Sequence, residues 1–203
     1  MVARWTPHAC IAHRGGSHLA PENTLPAYEQ AAGLGHTCGE CDVQLTADGV
    51  PVLLHDDTLE RTTDGHGRLI DRSAADVLAL DAGSWFHPRW AGTRVPTLAQ
   101  ALAAWSRLGM APVIELKCGD GQDPARLGVA VSAMVAAAWS GPTPLLISFI
   151  PEALSAAATT APLLPRGLLL EAWCDDWRER AAAVGACCLD IHHGLATAAR
   201  AAA

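Results

Sequence analysis

The chain has 203 residues, half of them hydrophobic and 17% charged, which is enough for one sizeable core and too apolar for a disordered segment. Its formal charge of −7, with 14 Lys and Arg scattered among 21 acids, lacks the basic footprint by which a nucleic-acid binder displaces counterions. An anionic small molecule is not excluded, because a local group of cations can reverse the potential within one cleft.

One domain over 1–203 is expected. The amino terminus has no apolar core of signal-peptide length and no stretch reaches transmembrane length, so a cytoplasmic protein without stable membrane insertion is expected. Seven cysteines form an odd set without a regular framework and read as reduced, buried thiols. Cys38-Gly39-Glu40-Cys41 has CxxC spacing, but no second pair follows and the segment reads as a strand rather than a zinc or redox motif.

In chain order, 9–12 reads as a short strand ending at His13. Asn23 or Thr24 can cap a helix with Leu25, Tyr28, Ala31, Ala32 and Leu34 at helical spacing and Pro26 in its first turn. Extended runs follow at 38–45 and 50–55, separated by the turn signal Ala47-Asp48-Gly49. From 57 to 96 the periodicity fades amid Gly65, Gly67, Gly83, Gly92, Trp85, Phe86 and Trp90, which reads as an inserted excursion. Alternation then resumes: helix 98–108, strand 112–117, helix 125–139, strand 144–149, helix 152–160, strand 167–170, helix 175–184, strand 188–192. An alanine-rich tail opens a further helix. Short apolar runs alternating with helices are the pattern of an α/β protein with parallel strands.

The chemistry-bearing residues gather where strands end. Side chains two apart on a strand share a face, so Glu40 and Asp42 project together, and Glu115 can add a third carboxylate from another strand. Hard cations such as Mg²⁺ or Ca²⁺ take such oxygen ligands; exposed or salt-bridged acids are the alternative. His13 and His55 close two strands and read as a general acid and base or as structural imidazoles. Arg14 offers a planar fork and Lys117 a point charge to phosphate oxygens, or each makes a rim salt bridge. Glu22 reads as a cation ligand, a histidine-orienting group or an acid favoured by the following helix dipole. Asp57, Asp64, His66 and His193 read as loop or rim residues. His192 is the one expected to face a pocket, and Trp85 with Phe86 either lines a mouth or packs within the excursion.

The ordered set His13-Arg14-Gly15, Pro21-Glu22-Asn23-Thr24-Leu25, Glu40 with Asp42, Leu45-Thr46-Ala47-Asp48-Gly49, His55-Asp56, Arg61-Thr62-Thr63, Asp81-Ala82-Gly83-Ser84-Trp85, Ile114-Glu115-Leu116-Lys117 and Ser148-Phe149 resembles the glycerophosphodiester phosphodiesterase family. The likeness looks strongest toward bacterial cytoplasmic members associated with glycerol-phosphate uptake. It implies an α/β fold, a TIM-type (β/α)8 barrel with a small insertion at about 57–96 and chemistry at the carboxyl ends of the strands. It implies His13 and His55 as the acid/base pair, Arg14 and Lys117 as substrate phosphate binders, and Glu40, Asp42 and Glu115 as ligands of one divalent cation, Mg²⁺ or Ca²⁺. The implied reaction cleaves a small-molecule glycerophosphodiester into sn-glycerol 3-phosphate and an alcohol such as choline or ethanolamine, with no nucleic-acid partner and an oligomer left open.

The sequence departs from the family pattern at Gly39, where a bulky apolar residue is usual, and at Ile147, where a small polar one is. The Trp/Tyr-Thr-Val-Asn-like strand and the final strand ending Thr-Asp, which the resemblance implies, do not occur. The expectation is therefore a barrel short of about two strand–helix units, poorly stable, aggregation-prone or weakly active alone. Two alternatives accompany the enzyme: a phospholipase-type phosphodiesterase, for which no membrane-binding element stands out, and an incompetent barrel that binds metal, phosphate or a partner.

Overall fold

The computed structural model describes residues 5–16 and 18–201. Residues 1–4, part of the terminus read above as lacking a signal-peptide core, lie outside the described residues, as do 17 and the last two alanines of the tail. Strands β1 (Cys38–Leu45), β2 (Pro51–Leu53), β3 (Ala111–Leu116), β4 (Leu145–Ser148), β5 (Arg166–Leu170) and β6 (Cys188–Ile191) form one sheet in the order β2-β1-β3-β4-β5-β6. The β1–β2 pair is antiparallel and every other pair is parallel.

The helices are α1 (Leu25–Gly33), α2 (Ala74–Leu78), α3 (Leu98–Leu108), α4 (Pro124–Ala138), α5 (Pro151–Thr160), α6 (Trp177–Ala183) and the short turn α7 (Ala198–Ala201). Their starts follow local chemistry. Thr97 and Gln100 form a reciprocal capping box on α3, and Asp123 accepts the N–H groups of Ala125 and Arg126 at the head of α4, where Pro124 gives up no needed donor.

The succession is that of a TIM-type barrel, and the two faces of its sheet differ. Outward residues Cys41, Val43, Leu45, Ile114, Leu116, Leu146, Leu168 and Leu170 pack with Tyr28, Trp105, Leu127, Val131 and Leu154 of the surrounding helices. A smaller inner cluster of Cys38, Ala111, Val113, Leu145, Ile147 and Leu169 fills the lower interior. Since β1 and β3 are buried on both faces, the polar residues among their inward positions sit inside the barrel. Among the described residues the barrel does not close, because β6 has β5 as its single strand neighbour.

Two expectations change. The strand at 9–12 reduces to one bridge from Ala12 to Gly39, and His13–Gly15 turns as a short 3-10 segment instead. The run at 50–55 is a strand only over Pro51–Leu53, although the Leu54 N–H still reaches the Asp42 carbonyl at 3.1 Å. Residues 57–96 hold α2 and short turns around a separate small core of Leu59, Leu69, Val77, Ala82 and Val95, which joins Val52 and Leu54 from the β2 segment.

Candidate active site

At the carboxyl ends of the strands lies a cleft of about 630 Å³ lined by His13, Arg14, Glu40, His55, Glu115 and Lys117 on one side and Phe149, Leu169, Glu171 and Asp190 on the other. The period-two geometry of β1 brings Glu40 and Asp42 to the same inner face, and the parallel register sets Asp42 opposite Glu115. All three are buried, and one carboxylate oxygen from each lies within 4.8 Å of the others.

Three acids so close repel one another. Burial and then the Asp42 charge push the Glu40 carboxyl well above its ordinary range, and the same two causes bring Glu115 up to about 7. Asp42 Oδ1 is buried, accepts no hydrogen bond and lies 3.8 Å from Lys117 Nζ. An orphaned carboxylate oxygen among converging hard ligands fits a divalent cation, which would satisfy that oxygen and the mutual repulsion together.

The turn at His13 works because of an unusual backbone. Arg14 has φ 52° and Gly15 φ 83°, and a Cβ on Gly15 would meet the Ala27 Cβ at 2.6 Å, so only glycine lets this turn press against α1. The turn points the Arg14 N–H at Glu40 Oε2, 2.9 Å away, while the Arg14 guanidinium meets Asp42 Oδ2 at 3.3 Å and Glu22 Oε1 at 3.0 Å. His13 Nε2 stands 4.0 Å from Glu40 Oε2. Desolvation in the cleft, then the Arg14 charge, lower this imidazole from its ordinary value.

His55 is held from both ring nitrogens. Nδ1 lies 2.6 Å from Asp56 Oδ1 and Nε2 lies 3.0 Å from Lys117 Nζ. Hydrogen bonds from Arg61 hold the Asp56 carboxyl down at about 2, so it accepts only, whereas a lysine ammonium donates only. That assigns the ring proton to Nδ1 and the lone pair to Nε2. Lys117 also meets Glu115 Oε1 at 3.3 Å.

Two buried amides brace this arrangement, and neither was read from sequence as a site residue. Asn23, at φ 56°, donates from Nδ2 to Asp42 Oδ2 at 2.8 Å and accepts the Asp42 N–H at 3.2 Å and the Tyr28 hydroxyl at 3.4 Å. Its position inside Pro21-Glu22-Asn23-Thr24 was the available signal, but there it reads as a helix cap. Gln44, two residues beyond Asp42 on the same face, directs Nε2 toward the carbonyls of Leu54, His55 and Asp56 at 2.9, 3.2 and 2.8 Å. Gln122 Nε2 donates to Gln44 Oε1 at 2.9 Å and so fixes the amide's orientation.

The structure thus brings together His13, Arg14, Glu40, Asp42, His55, Glu115 and Lys117. Glu22 pairs with Arg14 and Arg61 rather than joining the carboxylate trio. His192 lines a shallower neighbouring hollow with Phe149, Leu169, Glu171 and Asp190, and it is Asp190, unassigned from sequence, that reaches the main cleft. Trp85 packs edge-on to Phe86 and donates its indole N–H to the Ala82 carbonyl. Asp57, Asp64 and His66 serve loop hydrogen bonds.

Residues 13–201 match the model of the glycerophosphoryl diester phosphodiesterase family. The chain belongs to that family. Two relatives of this family member are the glycerophosphodiester phosphodiesterase 1 of Mus musculus, 46% identical over 54% of this chain and 34% of its own length, and the glycerophosphodiester phosphodiesterase of Caldanaerobacter subterraneus subsp. tengcongensis, 43% identical over 54% of this chain and 45% of its own. The matched part therefore spans about a third to a half of these curated relatives. Among solved structures, an Oleispira antarctica phosphodiesterase in complex with the product sn-glycerol-3-phosphate is 35% identical with a TM-score of 0.90, over 95% of this chain and 78% of that one. A glycerophosphodiester phosphodiesterase from Agrobacterium tumefaciens is 31% identical with a TM-score of 0.74, over 95% and 82%. Among the described residues no helix is long and apolar enough to cross a membrane.

Proposed function

We propose that this family member hydrolyses glycerophosphodiesters to sn-glycerol 3-phosphate and an alcohol, with one divalent cation, Mg²⁺ or Ca²⁺, held by Glu40, Asp42 and Glu115. The observation that carries the reading is the convergence of three buried carboxylates beside two cationic side chains and two imidazoles in one cleft. A cation bound there supplies Lewis-acid polarisation of a phosphoryl oxygen. Arg14 and Lys117 bind the remaining phosphoryl oxygens and counter the charge that grows on them as the bond to the leaving group breaks. As Lys117 turns from His55 Nε2 to a phosphoryl oxygen, the Nε2 lone pair is freed to take the proton of the attacking group. His13, 4.0 Å from Glu40, returns a proton to the departing alkoxide, and the bound anionic diester favours the protonated imidazole that this step needs. A cytoplasmic setting belongs to the reading and is supported by seven cysteines that are all free thiols.

The test is direct. Purified chain is incubated with glycerophosphocholine and with glycerophosphoethanolamine, with EDTA or with added Mg²⁺ or Ca²⁺, and glycerol 3-phosphate is measured. Metal-dependent product that His13→Ala and His55→Ala each reduce by about 10²–10⁴-fold is the expected result. Folded chain that yields no product under any of these conditions overturns the reading.

A further inference from the structure

Arg61 lies outside the cleft, yet it holds two of the groups that shape it. Its guanidinium forms a fork on Glu22, Nη1 to Oε2 at 2.9 Å and Nη2 to Oε1 at 2.7 Å, and a second fork on Asp56, Nε to Oδ2 at 2.5 Å and Nη2 to Oδ1 at 2.8 Å. Glu22 continues to Arg14 and from there to Asp42, while Asp56 continues to His55 and from there to Lys117. One side chain is the keystone of a run of contacts whose two ends both enter the cleft.

Its own base is firm. The Thr63 hydroxyl and N–H both donate to the Leu59 carbonyl, at 2.6 and 3.1 Å, and the Gly65 N–H donates to the Thr63 hydroxyl at 3.0 Å. Leu59 packs with Val52 and Leu54 of the segment that leads to His55. Arg61 thus projects from a tied turn anchored to the segment it acts upon.

We infer that Arg61 is the positioning residue of this site, fixing the His55 ring through Asp56 and the Arg14 fork through Glu22. The two pairs are partly exposed, with 43% of the Arg61 side chain accessible against 11% of Glu22 and 26% of Asp56, so solvent screens part of their contribution to stability. Two simultaneous forks instead restrict where two carboxylates stand, and Asp56 decides which nitrogen of His55 carries the proton. A lysine at position 61 keeps the charge but cannot span both carboxylates, because an ammonium lacks the planar five-donor geometry.

The kinetic part of the test rests on the proposed activity; the spectroscopic part does not. ¹⁵N spectra of the imidazoles are recorded for the parent, Arg61→Ala and Arg61→Lys, with His55→Gln assigning the ring. The parent should show the Nδ1–H tautomer, and both variants should move toward the Nε2–H or averaged form while their melting temperatures stay within a few degrees of the parent. With glycerophosphocholine as substrate, kcat should fall about 10–100-fold in both variants. Adding Arg61→Ala to the Glu22→Gln/Asp56→Asn pair should slow it no further, since those two changes already break both links. An unchanged His55 spectrum in both variants overturns the inference, as does an Arg61→Ala change that slows the Glu22→Gln/Asp56→Asn pair as much as it slows the parent. A parent without activity whose His55 ring nonetheless changes tautomer in the variants overturns the proposed reaction and supports the positioning role.

Discussion

Asn23 does two things that few residues do together. It tolerates a left-handed backbone, as asparagine and glycine do, and its buried amide meets Asp42 from two sides. These separate under mutation. Asn23→Gly keeps the backbone and Asn23→Ala strains it, while both remove the amide that orients a carboxylate. Both variants should bind Mg²⁺ or Ca²⁺ about 10–100-fold more weakly by calorimetry, and Asn23→Ala should also unfold at lower urea than Asn23→Gly. The acids themselves give an opposite sign. In EDTA Arg14 and Lys117 offset only part of the crowding among the three carboxylates, so Glu115→Gln should melt higher than the parent. Adding cation to the parent at about 100 times Kd should stabilise it by ~2.7 kcal/mol. In scanning fluorimetry that stabilisation reads as about 2–4 °C per kcal/mol. The trio was legible in the sequence because alternate acids in an apolar run contradict a purely structural strand. Asn23 was not, because a polar residue before a helix already has a sufficient local explanation.

Strand β1 and helix α3 were read from sequence with the bounds they have in the structure, since each carries both its period and its end signals. Gly39, singled out because it departs from the family pattern, has a physical reason in the packing between them. A Cβ at that position would lie 3.0 Å from Trp105 Nε1 and 3.2 Å from Met110 Cε, so the indole of α3 occupies the space a larger side chain would take. Trp105 in turn packs edge-on to Tyr28 at 4.7 Å. Gly39→Val should therefore cost about 1–3 kcal/mol, read as a lower urea midpoint with unchanged slope. The excursion at 57–96 was opaque to periodicity for a different reason. Asp81 organises much of it by accepting the N–H groups of Gly83, Ser84 and Gly92 and the Ser84 hydroxyl, and a scaffold built on one carboxylate leaves no repeat to find. The early strand was over-read because apolar composition cannot show that Ala12 has a ladder partner on one side at a single position.

Across the molecule, acid should be the effective denaturing condition. Arg61 holds Asp56 down at about 2, backbone N–H groups hold Asp81 lower still, and at Glu22 the pull of Arg61 and Arg14 outweighs a burial that works the other way. Carboxyls depressed in the folded state contribute stability that is fully present above their unfolded values, about 3.9 for aspartate and 4.3 for glutamate, and that is lost as pH falls through the folded ones. Urea midpoints in EDTA should thus drop between about pH 4 and pH 2, and Asp81→Asn should flatten part of that slope. The fold class was legible because alternation of strands and helices extends along the whole chain. The cleft's far wall was not, because Glu171 and Asp190 join it only through the parallel register of β5 and β6, which sets Leu169 beside Asp190.

The clasp of Gln44 on the carbonyls of Leu54, His55 and Asp56 has a geometric corollary. The same eight-residue strand supplies two of the carboxylates and grips the backbone at His55, so the span from one to the other is measured out along a single rigid ruler.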